Sequence, residues 1–151
     1  MAVDTGFMVY NSLNYPHLIS LFEEIGVEGE DTTMGFSVST DNGNFEYAAG
    51  ETLSKLFATR KNLLNPFFYM MIWEILRFNK LAKAFLCLPE THSDRNLTAG
   101  QFLQKYKFSS YFTKRYLVPM TGAIWSSSEE GIFSFPALTL FTFLNKYVAA
   151  A

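Results

Sequence analysis

The chain has 151 residues, 49% hydrophobic and 17% charged, with a formal net charge of −2 and a pI near 5.7. That length suits one domain able to bury a real core, and the composition excludes a disordered chain. The slight acidic balance leaves no electrostatic case for nucleic acid as a partner.

Val3 to Tyr10 is short, apolar and strand-like apart from Asp4-Thr5-Gly6. Pro16 suits the first turn of a helix, where its missing N–H would be unpaired in any case. Leu18, Ile19, Leu21, Phe22 and Ile25 follow at helical spacing, and Gly26 supplies a left-handed stop. Met34 to Thr40 alternates, with Met34, Phe36 and Val38 on one side, the period of a half-buried strand. Asp41-Asn42-Gly43-Asn44 is a turn cluster and Phe45-Glu46-Tyr47 resumes extended structure, so a hairpin is expected. A short helix is expected from Thr52 to Ala58.

Asn65-Pro66 is a strong helix start, and that helix should run to about Leu88, where Pro89 ends it. Its apolar sequence carries Glu74, Arg77, Lys80 and Lys83, which a membrane span would not tolerate. It therefore reads as a long helix buried on most sides, and no transmembrane segment is expected. Thr91 to Asn96 is polar and reads as a surface loop. Thr98-Ala99-Gly100-Gln101 is a capping box opening another helix. A further helix is expected from Ser110 to Ile124, with Pro119 as a kink or break. Ser127-Ser128-Glu129-Glu130 begins a short turn closed by Gly131, and Pro136 opens the last helix. The order implies an α+β fold, predominantly helical, with a small antiparallel hairpin.

Side-chain chemistry is sparse. Cys87 is the only cysteine, which excludes an internal disulfide and a cysteine-based zinc site and fits the cytoplasm or another reducing compartment. His17 and His92 lack metal-ligand spacing and read as surface residues. Glu23-Glu24 and Glu129-Glu130 are helix neighbours about 100° apart, which cannot share one proton. Lys105, Lys107, Lys114 and Arg115 read as a solvated helical face. The 16 phenylalanines fit a dense aromatic core, a set of rings facing a ligand cavity or an absent partner segment, or both. Gly6, lacking a β-carbon, either relieves a strand bulge or lets backbone approach a flat ring.

Five segments carry a resemblance. They are Val3-Asp4-Thr5-Gly6-Phe7, the strand Met34 to Ser39, the stretch Leu56 to Pro66, Tyr116-Leu117-Val118-Pro119 through Ile124-Trp125-Ser126, and Phe135-Pro136-Ala137. In this order they resemble the FAD-dependent amine oxidase and phytoene desaturase superfamily. Within it they are most like the NAD/FAD-binding oxidoreductases that in some multidomain proteins are joined to a cyclopropane fatty acid synthase module. Gly35, where a serine is usual, and Thr59, where a glutamine is usual, depart from the pattern.

The resemblance implies that residues 1–151 form a single partial domain, the substrate-side segment of an amine-oxidase-like flavoprotein. The strand-turn-helix with Gly-x-Gly-x-x-Gly that would hold the FAD pyrophosphate does not occur in these residues. That Rossmann portion is expected in cis or from another chain, and FAD binding by this chain alone is expected to be weak or nil. By the same resemblance, Asp4, Thr5, Gly6 and Phe7 return the chain to the flavin, while Trp125, Ser126 and Phe36 belong to the substrate side. The implied partner is a small amine or an apolar, lipid-like substrate. The residues also admit a non-catalytic module that binds an apolar ligand, or an interaction segment with an exposed apolar face.

Overall fold

A computed structural model describes residues 10–12, 15–32, 36–49 and 60–148. The greater part of the expected first strand, the expected helix from Thr52 to Ala58, and the residues Met34 and Gly35 lie outside them. The chain divides into two units, Met1–Met34 with Lys146–Ala151, and Gly35–Asn145. In the first, helix α1 (Pro16–Ile25) starts on its proline and ends at Gly26, whose φ of 72° is a left-handed conformation that glycine adopts without steric cost. Tyr10 meets Phe22 edge-on at 5.3 Å, and no α1 residue is fully buried.

The second unit begins with the expected hairpin. Strands β1 (Phe36–Thr40) and β2 (Phe45–Ala49) pair antiparallel, with Val38 opposite Tyr47 and Thr40 opposite Phe45. Val38, Phe45 and Tyr47 are buried while Ser37 and Ser39 are exposed, as a period of two requires on a one-sided sheet. The connecting turn takes three consecutive left-handed residues, Asp41, Asn42 and Gly43, the residue types that tolerate that region best. No helix among the described residues is long and apolar enough to cross a membrane.

Helix α2 (Pro66–Leu86) has 21 residues, a length of about 32 Å. Asn65 caps it by accepting the Phe67 N–H at 3.0 Å. Its buried residues are Phe68, Met71, Glu74, Phe78, Ala82 and Phe85, steps of three or four that trace one stripe. Tyr69, Trp73 and Leu76 are exposed, so the helix is buried along one side and not on most sides. Ile72, Ile75, Leu81 and Leu86 flank that stripe, partly buried against the core, and the opposite side faces outward.

After α2, a turn of 3-10 helix (Ser93–Asn96) replaces the expected loop, with the His92 Nδ1 accepting the Asp94 N–H at 3.2 Å. Helix α3 (Ala99–Lys105) opens on the expected capping box: Thr98 Oγ1 accepts the Gln101 N–H at 3.2 Å, and Gln101 Oε1 accepts the Thr98 N–H at 2.9 Å. Helix α4 covers residues 110–125 in three parts, Ser110–Phe112, a wide π-helical stretch Thr113–Leu117, and Val118–Trp125. Helix α5 is Glu129–Ser134 and α6 is Ala137–Val148. A two-bond neck joins the chain before α3 to the chain before α6. There the Ala99 N–H donates to the Phe135 carbonyl at 2.8 Å, and the Ala137 N–H to the Leu97 carbonyl at 2.9 Å.

The core is aromatic. Phe78 of α2 lies 6.2 Å from Phe102, 5.7 Å from Phe108, 5.5 Å from Phe112 and 5.4 Å from Phe141 between ring centroids. Most of these contacts are edge-on or tilted, the arrangements that the ring quadrupole favours. The dense-core account of the phenylalanines is thus seen in the rings of α2, α3, α4 and α6.

The widened turn in α4 has two contributors, Pro119 within the helix and Tyr47 from the hairpin. Pro119 has no N–H to give the carbonyl four residues back, that of Arg115. The Tyr47 hydroxyl donates to that carbonyl at 2.9 Å, linking the hairpin to the helix. The Arg115 side chain adds to the link: Nη1 donates to Thr40 Oγ1 at 3.0 Å, Nη2 pairs with Asp41, and the guanidinium lies 4.4 Å from the Phe45 ring centre. Arg115 is therefore no part of a solvated face, and Lys105 is paired with Asp94 at 2.5 Å.

Burial, with a smaller contribution from neighbouring Tyr116, holds the Tyr47 phenol well above its ordinary pKa of 10.0. The folded state thus binds this proton more tightly than the unfolded chain does. The resulting stabilisation is complete below about pH 10 and is lost as pH rises from there through the folded value. Tyr47→Phe should therefore flatten the alkaline fall in stability, read as urea midpoints between about pH 9 and about pH 11. A decline as steep as that of the unaltered protein would sink this assignment.

Candidate functional site

Phe36 begins β1, half-buried, with its ring edge-on to Tyr47 at 6.5 Å. Trp125 ends α4, also half-buried, between Phe135 at 5.5 Å and Phe143 at 4.5 Å. Ser126 is exposed and left-handed, with φ 50°, and its N–H closes α4 on the Gly122 carbonyl at 2.7 Å. Trp125 and Ser126 thus sit together, and no hydrogen bond or ring contact joins either to Phe36. Asp4, Thr5, Gly6 and Phe7 lie outside the described residues.

One open groove of about 320 Å³ runs between α3, α4 and α5. Leu103, Phe108 and Phe133 supply apolar walls, and Ser110, Thr113, Lys114 and Glu129 supply polar groups. None of Phe36, Trp125 and Ser126 lines it. Its size is at the low end of ligand-binding clefts, and its lining of apolar walls with a few polar groups is the usual one.

Beside the groove lies a polar contact that sequence reasoning missed. Glu74, on the buried stripe of α2, is 4% exposed. Its Oε1 accepts the Ser109 N–H at 2.8 Å and its Oε2 accepts the Ser109 hydroxyl. Ser109 Oγ in turn accepts the Phe112 N–H at 3.1 Å and caps α4. The signal was present: Glu74 falls between Met71 and Phe78 on the apolar stripe, and Ser109 stands one residue before a helix. Asn62, 2% exposed, is a second such case, its Nδ2 donating to the Glu46 carbonyl at 2.8 Å. Both are hydrogen-bonded structural groups.

His17 and His92 are exposed, and among the described residues no group of three or more His, Cys, Asp or Glu is placed to hold a metal ion. Helix starts are the natural place for a dinucleotide pyrophosphate. Those of α2, α3, α4 and α5 are each capped by a side chain, from Asn65, Thr98, Ser109 and Ser128, and α5 opens with Glu129 and Glu130. These four helix starts therefore do not suit the FAD pyrophosphate.

Comparison with protein-family models, with curated proteins and with solved structures returned no match.

Proposed function

We propose that the chain is a substrate-side segment of an FAD-dependent oxidoreductase of the amine oxidase type. In this reading it walls a cavity in which a hydride leaves an amine or an apolar, lipid-like substrate for the flavin. The observation that carries it is that parts of three of the five resembling segments, in β1, at the end of α4 and before α6, lie in one unit. β1, from the second segment, packs on the Thr113–Leu117 stretch, whose last two residues open the fourth, and Arg115 and Thr40, each just outside those segments, tie the two together. Trp125, from the fourth segment, stacks on Phe135, from the fifth. Parts of these segments thus share one scaffold. FAD contact is assigned to Asp4, Thr5, Gly6 and Phe7, and the pyrophosphate to a Gly-x-Gly-x-x-Gly portion in cis or in another chain.

The test is the coding sequence immediately upstream of Met1 in the same frame, followed by flavin analysis of the purified product. A strand, a Gly-x-Gly-x-x-Gly turn and a helix encoded there, with yellow colour in the longer product only, is the expected result. A stop codon there, with no partner chain supplying the motif, overturns the proposal. Tight stoichiometric FAD on residues 1–151 alone would overturn the assignment of the pyrophosphate.

The groove between α3 and α5 favours a second reading, a module that holds an apolar ligand without redox chemistry. Lipid co-purifying with a colourless protein, and released by substitution of Leu103 or Phe133, would support that reading in place of the first.

A further inference from the structure

We infer that the exposed side of α2 rests on the surface of an anionic lipid bilayer. Tyr69, Trp73, Leu76, Lys80 and Lys83 follow one another at spacings of three and four, so they share a single side of the helix, opposite the buried stripe. Trp73 is 59% exposed and Leu76 65%, and just before the helix Leu64 is 90% exposed. From Lys61 to Leu86 the one acid is Glu74, which is buried and turned to Ser109. Lys61, Lys80 and Lys83 are all exposed.

Apolar and aromatic side chains joined to cations, without acids, are the composition of a helix that lies in a lipid interface. Tryptophan and tyrosine settle at headgroup depth, and lysine stems run along apolar surface while their ammonium groups reach anionic phosphates. The attraction is local, since the whole chain carries a net charge of −2. A second copy of this side would bring more cations to it and no acid to neutralise them. A convex helix side also suits a planar surface, which asks for no matching groove. This inference stands apart from the flavin reading.

The test is co-sedimentation of the full chain with vesicles of phosphatidylserine and phosphatidylcholine, compared with phosphatidylcholine alone. Binding to the anionic vesicles only, weakened by salt, is expected. Lys80→Gln with Lys83→Gln should weaken it about thirtyfold, and Trp73→Ala with Leu76→Ala should abolish it. All four side chains point away from the core, so circular dichroism should match the unaltered protein. Equal binding to neutral and anionic vesicles, no binding to either, or binding indifferent to the lysine changes would each overturn the inference. Self-association without vesicles that the Trp73 and Leu76 changes abolish would also overturn it, assigning the surface to a second copy.

Discussion

Phe78→Ala should cost about 3–5 kcal/mol of folding stability, the range for emptying a fully packed aromatic site. Phe78 is 1% exposed and its ring touches those of Phe102, Phe108, Phe112 and Phe141, which come from α3, the chain after it, α4 and α6. Four segments of chain converge on one ring, so none can close the void without dragging its own backbone. Phe78→Leu keeps most of the apolar volume and should cost clearly less, because the remaining gap is small. Urea unfolding of both variants gives the comparison. If Phe78→Ala and Phe78→Leu lost the same stability, or if Phe78→Ala lost under about 1 kcal/mol, the convergence of these elements on Phe78 would be wrong.

Glu74→Ala should be the next most damaging change, at about 2–4 kcal/mol, since it leaves the part-buried Ser109 N–H and hydroxyl without their acceptor. The Ser109 N–H and hydroxyl both donate to this carboxylate, and the same hydroxyl oxygen caps α4. Loss of Glu74 therefore reaches the start of a helix on another element. Glu74→Gln keeps an oxygen for the N–H and should recover about half of the loss. The discriminating quantity is hydrogen exchange at Phe112 relative to the rest of the core. Exchange at Phe112 that rises no more than elsewhere would show that Ser109 caps α4 without help from Glu74.

What was legible in the sequence was local. The α1 stop at Gly26, the hairpin turn, the Asn65 cap and the Thr98 capping box depend on residues within a few positions of one another, and all are present. The π-helical turn was only half legible. Pro119 announced a disturbance, but its form depends on Tyr47, 68 residues from Arg115 in sequence, which occupies the carbonyl that Pro119 leaves. Glu74 counted in the sequence only as one of four charges that exclude a membrane span; its place on the apolar stripe was legible, but its partner Ser109, 35 residues away, was not. Arg115 was mistaken for a solvated charge for the same reason, its partners Thr40 and Asp41 lying in the hairpin. Of the candidate site, Trp125 and Ser126 lie together at the end of α4, whereas Phe36 went to the hairpin.

The neck between residues 97–99 and 135–137 makes the intervening polypeptide a closed ring. A ring held at its neck need not be covalently continuous elsewhere. A protease nick at the exposed Ser126 or Ser128 would leave two fragments clasped by the neck and by the aromatic core. The α4–α5 connection is thus a place where the covalent thread is dispensable, and where new termini or an inserted domain would be accommodated.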